Sequence, residues 1–420
     1  MKTQSLINTL LLTALGAALT VQADVVTDWN NAALNAIRTD KTPPPKASRY
    51  LAILHASIYD AVNGISRTHE AYFVRSAVPA SASKEGAASA AAHAVLISLY
   101  PAKVADFDRL HAATLRAIRK GPQKDRGITW GETVAAKILA WRADDGSDAM
   151  VAPPGSRNPG DWVPTPPAFA AYLLPQWGDC KPFAMADHSQ FRPPGPPTLD
   201  SAKWAADYNE VKALGAALGS TRTPDQTEIA LFWADGAGTE TPPGHWNHIA
   251  QDVATAQGNT LEQNARLFAL LNIAMADAGI CAWDAKYSYH NWRPVTAIRN
   301  GDTNGNPATE PDPTWSSFIV TPPFPDYVSG HSTFSSAGAT VLAMFYGSDD
   351  ISFKTGSDFL PGLLRSFRSF SAAASEAASS RVYGGIHFRF ASDDGLAAGL
   401  TIGEWTVTHY LQAKGNRSRN

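Results

Sequence analysis

This chain of 420 residues is poor in cysteine and in excess charge of either sign. Its only cysteines, Cys180 and Cys281, allow at most one disulfide, and the sequence leaves open whether they pair or stay as buried thiols. Lysine and arginine total 35 against 38 for aspartate and glutamate, which gives a net charge of −3. A balance so close to neutral argues against nucleic acid or an acidic membrane surface as the partner.

Alternating β patterns are also scarce. Apolar residues recur instead at intervals of three and four, as they do on one face of a helix, and residues 47–62 are an example. The sequence therefore predicts an all-α protein. Further helices are predicted at 85–100, 104–119, 131–143, 202–218, 225–233, 261–283, 332–346, 361–380 and 394–411.

A long apolar run stands at the N-terminus, and we expect none later that is long and apolar enough to cross a membrane. Met1 and Lys2 precede an apolar stretch that ends at Val21-Gln22-Ala23. A basic start, a short apolar core and small residues before the cut are typical of a secretory signal peptide. We expect cleavage near Ala23 and a secreted or periplasmic protein, with no membrane span in the mature chain.

The remaining chain divides by composition. Residues 24–150 are predicted to form an N-terminal helical half, and residues 201–420 a C-terminal half. Between them, residues 151–200 are rich in proline and glycine and are too long for a turn, so we expect an ordered strap packed over the body. A second irregular stretch, 301–327, is expected to form one wall of the candidate site.

Chemistry concentrates in three short segments of the C-terminal half. They contain one lysine, two arginines, two histidines and a Ser-Gly pair, with no carboxylate among these seven residues. Guanidinium groups, an ammonium group and backbone amides suit a tetrahedral oxyanion and do not suit a hard metal cation. The seven are Lys286, Arg293, Ser329, Gly330, His331, Arg381 and His387.

The spacing within each segment predicts how its residues meet. Lys286 and Arg293 are seven apart, which on one helix places both on one face with ~10 Å between them. Ser329 is a favoured N-cap, and the free amides after it can bind an anion. Gly384-Gly385 lies between Arg381 and His387, and allows the chain to leave helical geometry and turn both side chains inward.

In order and spacing, these segments resemble the signature shared by vanadium-dependent haloperoxidases and type 2 phosphatidic acid phosphatases. That signature reads Lys-x6-Arg-Pro, then Pro-Ser-Gly-His, then Ser-Arg-x5-His, and this chain departs from it in carrying Val328 in place of the proline. The resemblance covers roughly residues 225–410. It implies a large helical bundle of the vanadium chloroperoxidase and acid phosphatase type.

The resemblance also implies roles. His387 would bond vanadium, or would be phosphorylated in a phosphatase, and His331 would be the acid–base group. The cofactor would be vanadate, with phosphate as a competing occupant and without haem, flavin or NAD. Hydrogen peroxide and a halide or small organic molecule would be the substrates, with Lys286 polarising the bound peroxide. The vanadate oxygens would be held by Lys286, Arg293, Ser329, Gly330 and Arg381.

Further similarities favour the haloperoxidases. Phe324 and Trp283 fall where those enzymes have residues of the halide pocket, and Asp235 lies in a segment whose aspartate braces an active-site arginine. Phosphatases commonly carry an aspartate four residues after the last histidine, where this chain has Ala391. A secreted or periplasmic acid phosphatase is the alternative, and a non-enzymatic anion-binding protein is a third reading. His245 and His248 are interpreted as pocket wall rather than as a zinc site.

Overall fold

The computed structural model describes residues 24–76, 78, 80–152, 155 and 158–415, so the predicted signal peptide and the Pro153-Pro154 pair lie outside the described residues. The prediction of an all-α fold is confirmed, because the described residues form thirteen α-helices and one small antiparallel sheet of two strands. The elements are α1 Val25–Asp40, α2 Pro44–Ser66, α3 Lys84–Leu99, α4 Val104–Ala117, α5 Pro122–Arg142, α6 Ala202–Leu214, α7 Pro224–Phe232, α8 Thr241–Gln257, α9 Leu261–Tyr289, α10 Pro294–Arg299, α11 Gly330–Tyr346, β1 Phe353–Gly356, β2 Leu364–Phe367, α12 Phe370–Tyr383 and α13 Arg389–His409.

Helix α9 is the central element, and α2, α11 and α13 pack against it. Thr260 starts the helix with a capping box to Gln263, and the helix is then buried on all sides for more than five turns. Its length and composition would allow it to cross a membrane. The expectation that no later segment is long and apolar enough was therefore wrong. However, 94% of its most apolar window is buried inside the fold. Its last turn carries Lys286.

Close packing of α13 on α11 fixes the start of α11. Gly395, Gly399 and Gly403 are spaced four apart and share one face of α13. A Cβ atom at Gly399 would lie 2.3 Å from the Thr333 carbonyl oxygen, so only glycine allows the two backbones to approach this closely. The amide of Ser329 also donates to the Ala391 carbonyl at 2.9 Å. The first residues of α11 are therefore held against α13.

The turn between α12 and α13 confirms the prediction made from its two glycines. Helix α12 ends at Tyr383, and Gly385 adopts φ +77°, in the left-handed region. A Cβ atom at Gly385 would also lie 2.2 Å from the carbonyl oxygen of Gly215. Backbone conformation and space both require glycine here, and the turn directs His387 inward.

Some predicted helices differ from the structure. The helix expected over 361–380 is wrong in its first part, because β2 occupies Leu364–Phe367 and α12 begins only at Phe370. Helix α8 was not predicted, because Pro242-Pro243-Gly244 reads as a turn. Prolines are tolerated in the first turn of a helix, where their missing amide hydrogens have no intrahelical acceptor.

The strap is ordered over its described residues and closes over the end of α9. The Trp162 amide donates to the His290 carbonyl at 2.7 Å, and the Leu173 amide donates to the Pro323 carbonyl at 2.9 Å. Cys180 in the strap and Cys281 in α9 are both buried free thiols. One hydrophobic core continues through residues of both predicted halves, and the boundaries drawn from composition stay a prediction.

We predict that Gly399→Ala lowers the free energy of unfolding by ~1–3 kcal/mol, because the new methyl group overlaps the Thr333 carbonyl and α13 must shift. Thermal or denaturant unfolding measures this. Gly356→Ala is the matched control, since its Cβ would meet Leu364 at an ordinary 3.5 Å, and we expect a change within about 0.5 kcal/mol. Equal stability of the two variants would contradict the packing argument.

Candidate active site

Lys286 and Arg293 meet at the site from different elements. Helix α9 ends at Tyr289, and His290 follows it with φ +55°, in the left-handed region. Arg293 then precedes α10 as its N-cap residue. The expectation that one helix carries both cations is therefore wrong. Their spacing nevertheless delivers them to one place, because the chain reverses after α9.

The ammonium group of Lys286 is completely buried and uses its hydrogens on backbone carbonyls. It donates to the carbonyl oxygens of Pro325 at 3.0 Å, Asp326 at 3.1 Å and Val328 at 2.5 Å. Burial lowers the pKa of Lys286 well below 10.5, and nearby Arg293 lowers it further. These carbonyls belong to or adjoin the predicted wall, 301–327. Contact between Lys286 and an oxyanion requires one of these three bonds to be exchanged.

Arg293 connects the first and third segments. Its Nε donates to the Phe324 carbonyl at 2.7 Å, and its Nη1 lies 2.6 Å from the Ile386 carbonyl oxygen. The same Nη1 lies 3.1 Å from Nε2 of His387. Burial lowers the pKa of Arg293 to about 10. Its buried Nη2 has no hydrogen-bond partner among the described residues, and so retains two hydrogens for an oxyanion.

Arg381 approaches from α12 and likewise keeps a free donor. Its Nη1 donates to the Trp233 carbonyl at 2.7 Å, while its buried Nε has no partner within the described chain. The carboxylate of Asp235, expected to brace an arginine, is ion-paired with Nδ1 of His245 at 3.2 Å. Burial lowers the pKa of Arg381 to about 9, against the opposing charge of Asp235. Asp235 therefore acts on Arg381 through its field.

Ser329, Gly330 and His331 form the start of α11 as predicted. Ser329 is the N-cap, and its hydroxyl accepts from the Ser332 amide. The first amides of a helix have no intrahelical acceptor, so those of Gly330 and His331 are available to an anion. His331 is the least buried of the seven residues, although its Nε2 is buried and lacks a partner in the part of the chain that the structure describes.

His387 lies in the turn before α13 and is 2% exposed. Its Nδ1 is 2.8 Å from Oδ1 of Asp326, whose side chain is completely buried, although the angle is poor for a hydrogen bond. Asp326 is also held by Asn291 Nδ2 at 3.4 Å. Burial raises the pKa of Asp326 to about 7, while Arg293 and Lys286 oppose the increase. The sequence reasoning missed this carboxylate.

Trp283 and Phe324 contact each other and flank the cations, with ring centroids 4.9 Å apart. Nζ of Lys286 lies 5.0 Å from the Phe324 centroid, and the Arg293 guanidinium carbon lies 4.8 Å from it. The negative face of an aromatic ring stabilises a nearby cation. The two residues predicted for a halide pocket therefore form an aromatic border beside Lys286 and Arg293.

The structure thus brings all seven predicted residues to one buried region, and comparisons with known proteins point the same way. The sequence profile of the VCPO second helical-bundle domain matches residues 266–415. Vanadium chloroperoxidase of Curvularia inaequalis is 28% identical in an alignment of 402 positions that covers 76% of this chain and 65% of that protein.

Solved structures agree. The crystal structure of the first bacterial vanadium-dependent iodoperoxidase superposes with a TM-score of 0.80 at 29% identity, and the match covers 93% of this chain and 96% of that one. A holo-type bacterial vanadium-dependent chloroperoxidase gives a TM-score of 0.68 at 19% identity, over 87% and 91% of the chains, and this likeness shows the fold alone. The chain is thus similar in sequence and in fold to vanadium haloperoxidases.

The residues brought together here fit a vanadate anion. Arg293 Nη2 and Arg381 Nε are buried donors without partners among the described residues, and such groups are costly to leave unsatisfied. An oxyanion between them would accept these hydrogen bonds and offset the buried positive charge. Nε2 of His387 lies in the same region, 3.1 Å from Nη1 of Arg293.

Two contributors were missed by the sequence reasoning. Asp326 lies within the quoted run Phe324-Pro325-Asp326-Tyr327, but nothing in a single sequence links it to a histidine 61 positions later. His245 was interpreted as pocket wall, whereas it is the ionic partner of Asp235 and stacks on Trp233 with centroids 4.6 Å apart. His245 follows Asp235 by ten residues, and this short separation was the signal from which the pair could have been predicted.

We predict that Arg293→Gln weakens binding of inorganic phosphate by ~10–100-fold, because a hydrogen bond to a charged group contributes about 1.5–3 kcal/mol. Isothermal titration calorimetry measures the affinity. Arg49→Gln is the control, since Arg49 is a largely buried arginine that is bonded to Asp145 at 2.7 Å and to none of the seven residues. Equal phosphate affinity of the two variants would argue against an oxyanion at Arg293.

A second prediction concerns pH. Burial and the charge of Arg381 lower the pKa of His331 well below 6.5, so the anion-free protein should keep this ring neutral below pH 6.5. The unfolded chain then binds the proton first, so stability falls as the pH drops. Bound phosphate offsets the cations and should raise the pKa. Histidine ¹H–¹⁵N NMR titrations, with His331→Ala to assign the signal, measure the shift, and no change on adding phosphate would contradict it.

Proposed function

We propose that this protein is a vanadate-dependent haloperoxidase that uses hydrogen peroxide to oxidise a halide to hypohalous acid. The observation that carries the proposal is the set of unpartnered buried donors on Arg293 and Arg381 beside Nε2 of His387. Export through a signal at residues 1–23 is part of the proposal. The match spans less than two thirds of the fungal relative, so the activity is argued from this chain's own residues.

Each residue has a distinct part in binding the cofactor. Arg293 and Arg381 would donate to the vanadate oxygens from fixed guanidinium groups, and the amides after Ser329 would donate from the start of α11. His387 would offer Nε2 to vanadium. Bound vanadate supplies a Lewis acid that activates hydrogen peroxide without a change of oxidation state.

His331 is suited to accept the proton of hydrogen peroxide. Its lowered pKa keeps the ring neutral near pH 7, and its buried Nε2 has no partner among the described residues. A neutral ring with a free nitrogen can accept a proton and return it to the product. Lys286 would raise the local positive potential, and would polarise peroxide after exchanging one of its carbonyl partners.

Trp283 and Phe324 would define the halide side of the site. Their rings border Lys286 and Arg293, so a halide there would meet positive charge and apolar surface together. Large, weakly hydrated anions favour such an environment, because little hydration is lost on entry.

An acid phosphatase is the alternative, and one observation bears on it. Ala391 removes the aspartate that phosphatases commonly place after the last histidine, but Asp326 brings a carboxylate to 2.8 Å from His387 Nδ1. Ala391 is therefore weaker evidence against a phosphatase than the sequence indicated. We prefer the peroxidase because Trp283 and Phe324 border the site and the named relatives are peroxidases.

The deciding experiment compares both activities on one preparation. After loading with orthovanadate, we expect oxidation of at least one of chloride, bromide and iodide by hydrogen peroxide, at a rate above phosphate ester hydrolysis by the vanadate-free protein. Phosphate should slow activation by vanadate, because both anions use the same donors. Vigorous phosphatase turnover without halide oxidation would assign the protein to the alternative class.

Variants separate the two histidines. His387→Ala should abolish stable vanadate retention, because the ligand nitrogen is lost. His331→Ala should retain vanadium but lose ~10²–10⁴-fold in turnover, the usual contribution of an acid–base group. Vanadium content after gel filtration and steady-state rates measure the two effects. Tight stoichiometric vanadium in His387→Ala would refute the ligand assignment.

A further inference from the structure

Asp326 is a buried carboxylate with no role in the proposed chemistry so far. It lies on the loop before α11, and its contact with His387 joins residues 61 positions apart. Both side chains are at most 2% exposed, so water does not weaken the interaction between them. Burying a carboxylate costs free energy unless nearby groups compensate its charge, so the groups that contact Asp326 indicate its role.

The partners of the imidazole define its orientation. Nδ1 faces Asp326 Oδ1 at 2.8 Å, and Nε2 faces an Arg293 donor at 3.1 Å. Arginine only donates, so Nε2 must present its lone pair, and the ring hydrogen must be on Nδ1, the nitrogen that lies 2.8 Å from the carboxylate. This is the tautomer that a ligand bonded through Nε2 needs.

Asp326 is itself held in place. Asn291 Nδ2 lies 3.4 Å from its Oδ2, and its backbone amide donates to the Asn291 carbonyl at 2.9 Å. Its own backbone carbonyl accepts from Lys286. The carboxylate is therefore fixed by the segment between α9 and α10, which also carries Arg293.

We propose that Asp326 is a positioning residue that sets the tautomer and direction of His387 and thereby strengthens its bond to vanadate. From the loop before α11, it replaces the carboxylate that Ala391 in α13 does not supply. This inference rests on the proposed function, because it assumes that His387 is the vanadium ligand. Asp326 touches neither vanadate nor substrate in this assignment.

A different role makes the opposite prediction. Asp326 also lies near Lys286 and Arg293, and its charge opposes theirs. If it were only a counter-charge, its removal would strengthen the binding of every oxyanion. Vanadate bonds to His387 whereas phosphate at rest is held by the cationic donors alone. The ratio of the two affinities therefore separates positioning from charge.

The experiment measures vanadate and phosphate dissociation constants for Asp326→Asn by isothermal titration calorimetry, with ⁵¹V NMR of the vanadate complex. We expect vanadate affinity to fall ~10–100-fold, as for other partners of metal-bound histidines, while phosphate affinity stays equal or rises. Asp60→Asn is the matched control: Asp60 is another buried carboxylate, bonded to the amides of Tyr72, Phe73 and Val74. The ratio of vanadate to phosphate affinity should be the same in Asp60→Asn as in the wild-type protein.

Each outcome is decisive. Equal strengthening for both anions would overturn the inference in favour of a counter-charge, and equal weakening would overturn it in favour of a structural role. If Asp326→Asn does not fold, Asn291→Ala is the second variant, because it removes only one contact of the carboxylate. The ratio of vanadate to phosphate affinity should still fall, and an unchanged ratio in that variant overturns the inference.

Failure of the wild-type protein to bind vanadate would overturn the proposed function, and the inference with it. Vanadate binding by wild type with an unchanged variant ratio overturns the inference alone.

Discussion

Several positive charges share a region from which water is largely excluded, and this constraint organises the site. Lys286, Arg293 and Arg381 are each at most 2% exposed. Each buried ion costs several kcal/mol unless partners replace its hydration. Backbone carbonyls serve as most of these partners, so the irregular segments that supply them are as necessary as the cations. Burial lowers the pKa of all three cations, and the negative charge of a bound oxyanion would raise these pKa values again.

The helices supply rigidity, and their ends supply chemistry. Helix α9 delivers Lys286 from its last turn, α11 presents its first amides, and α12 presents Arg381 before the glycine turn. Glycines on α13 allow it to lie directly on α11, which fixes those amides. Functional groups at helix ends are held by packing along the whole helix, so the site is well fixed although three of its seven residues lie outside the helices.

Two carboxylate–histidine pairs lie at the site. Asp326 faces His387, the expected ligand, and Asp235 faces His245 beside Arg381. The charge of each carboxylate also acts on a neighbouring arginine. The charge of the site is therefore tuned by residues that need not touch the anion.

By itself, the sequence predicted the all-α class, the seven residues that the structure brings together, the cap at Ser329 and the break at Gly384-Gly385. These features follow from short-range spacing, which a helix converts directly into geometry. Tertiary structure alone decided that Lys286 and Arg293 lie on different elements, that Thr241–Gln257 is a helix, and that Asp326 meets His387. Such contacts depend on how distant segments pack, and no local periodicity encodes a pairing across 61 residues.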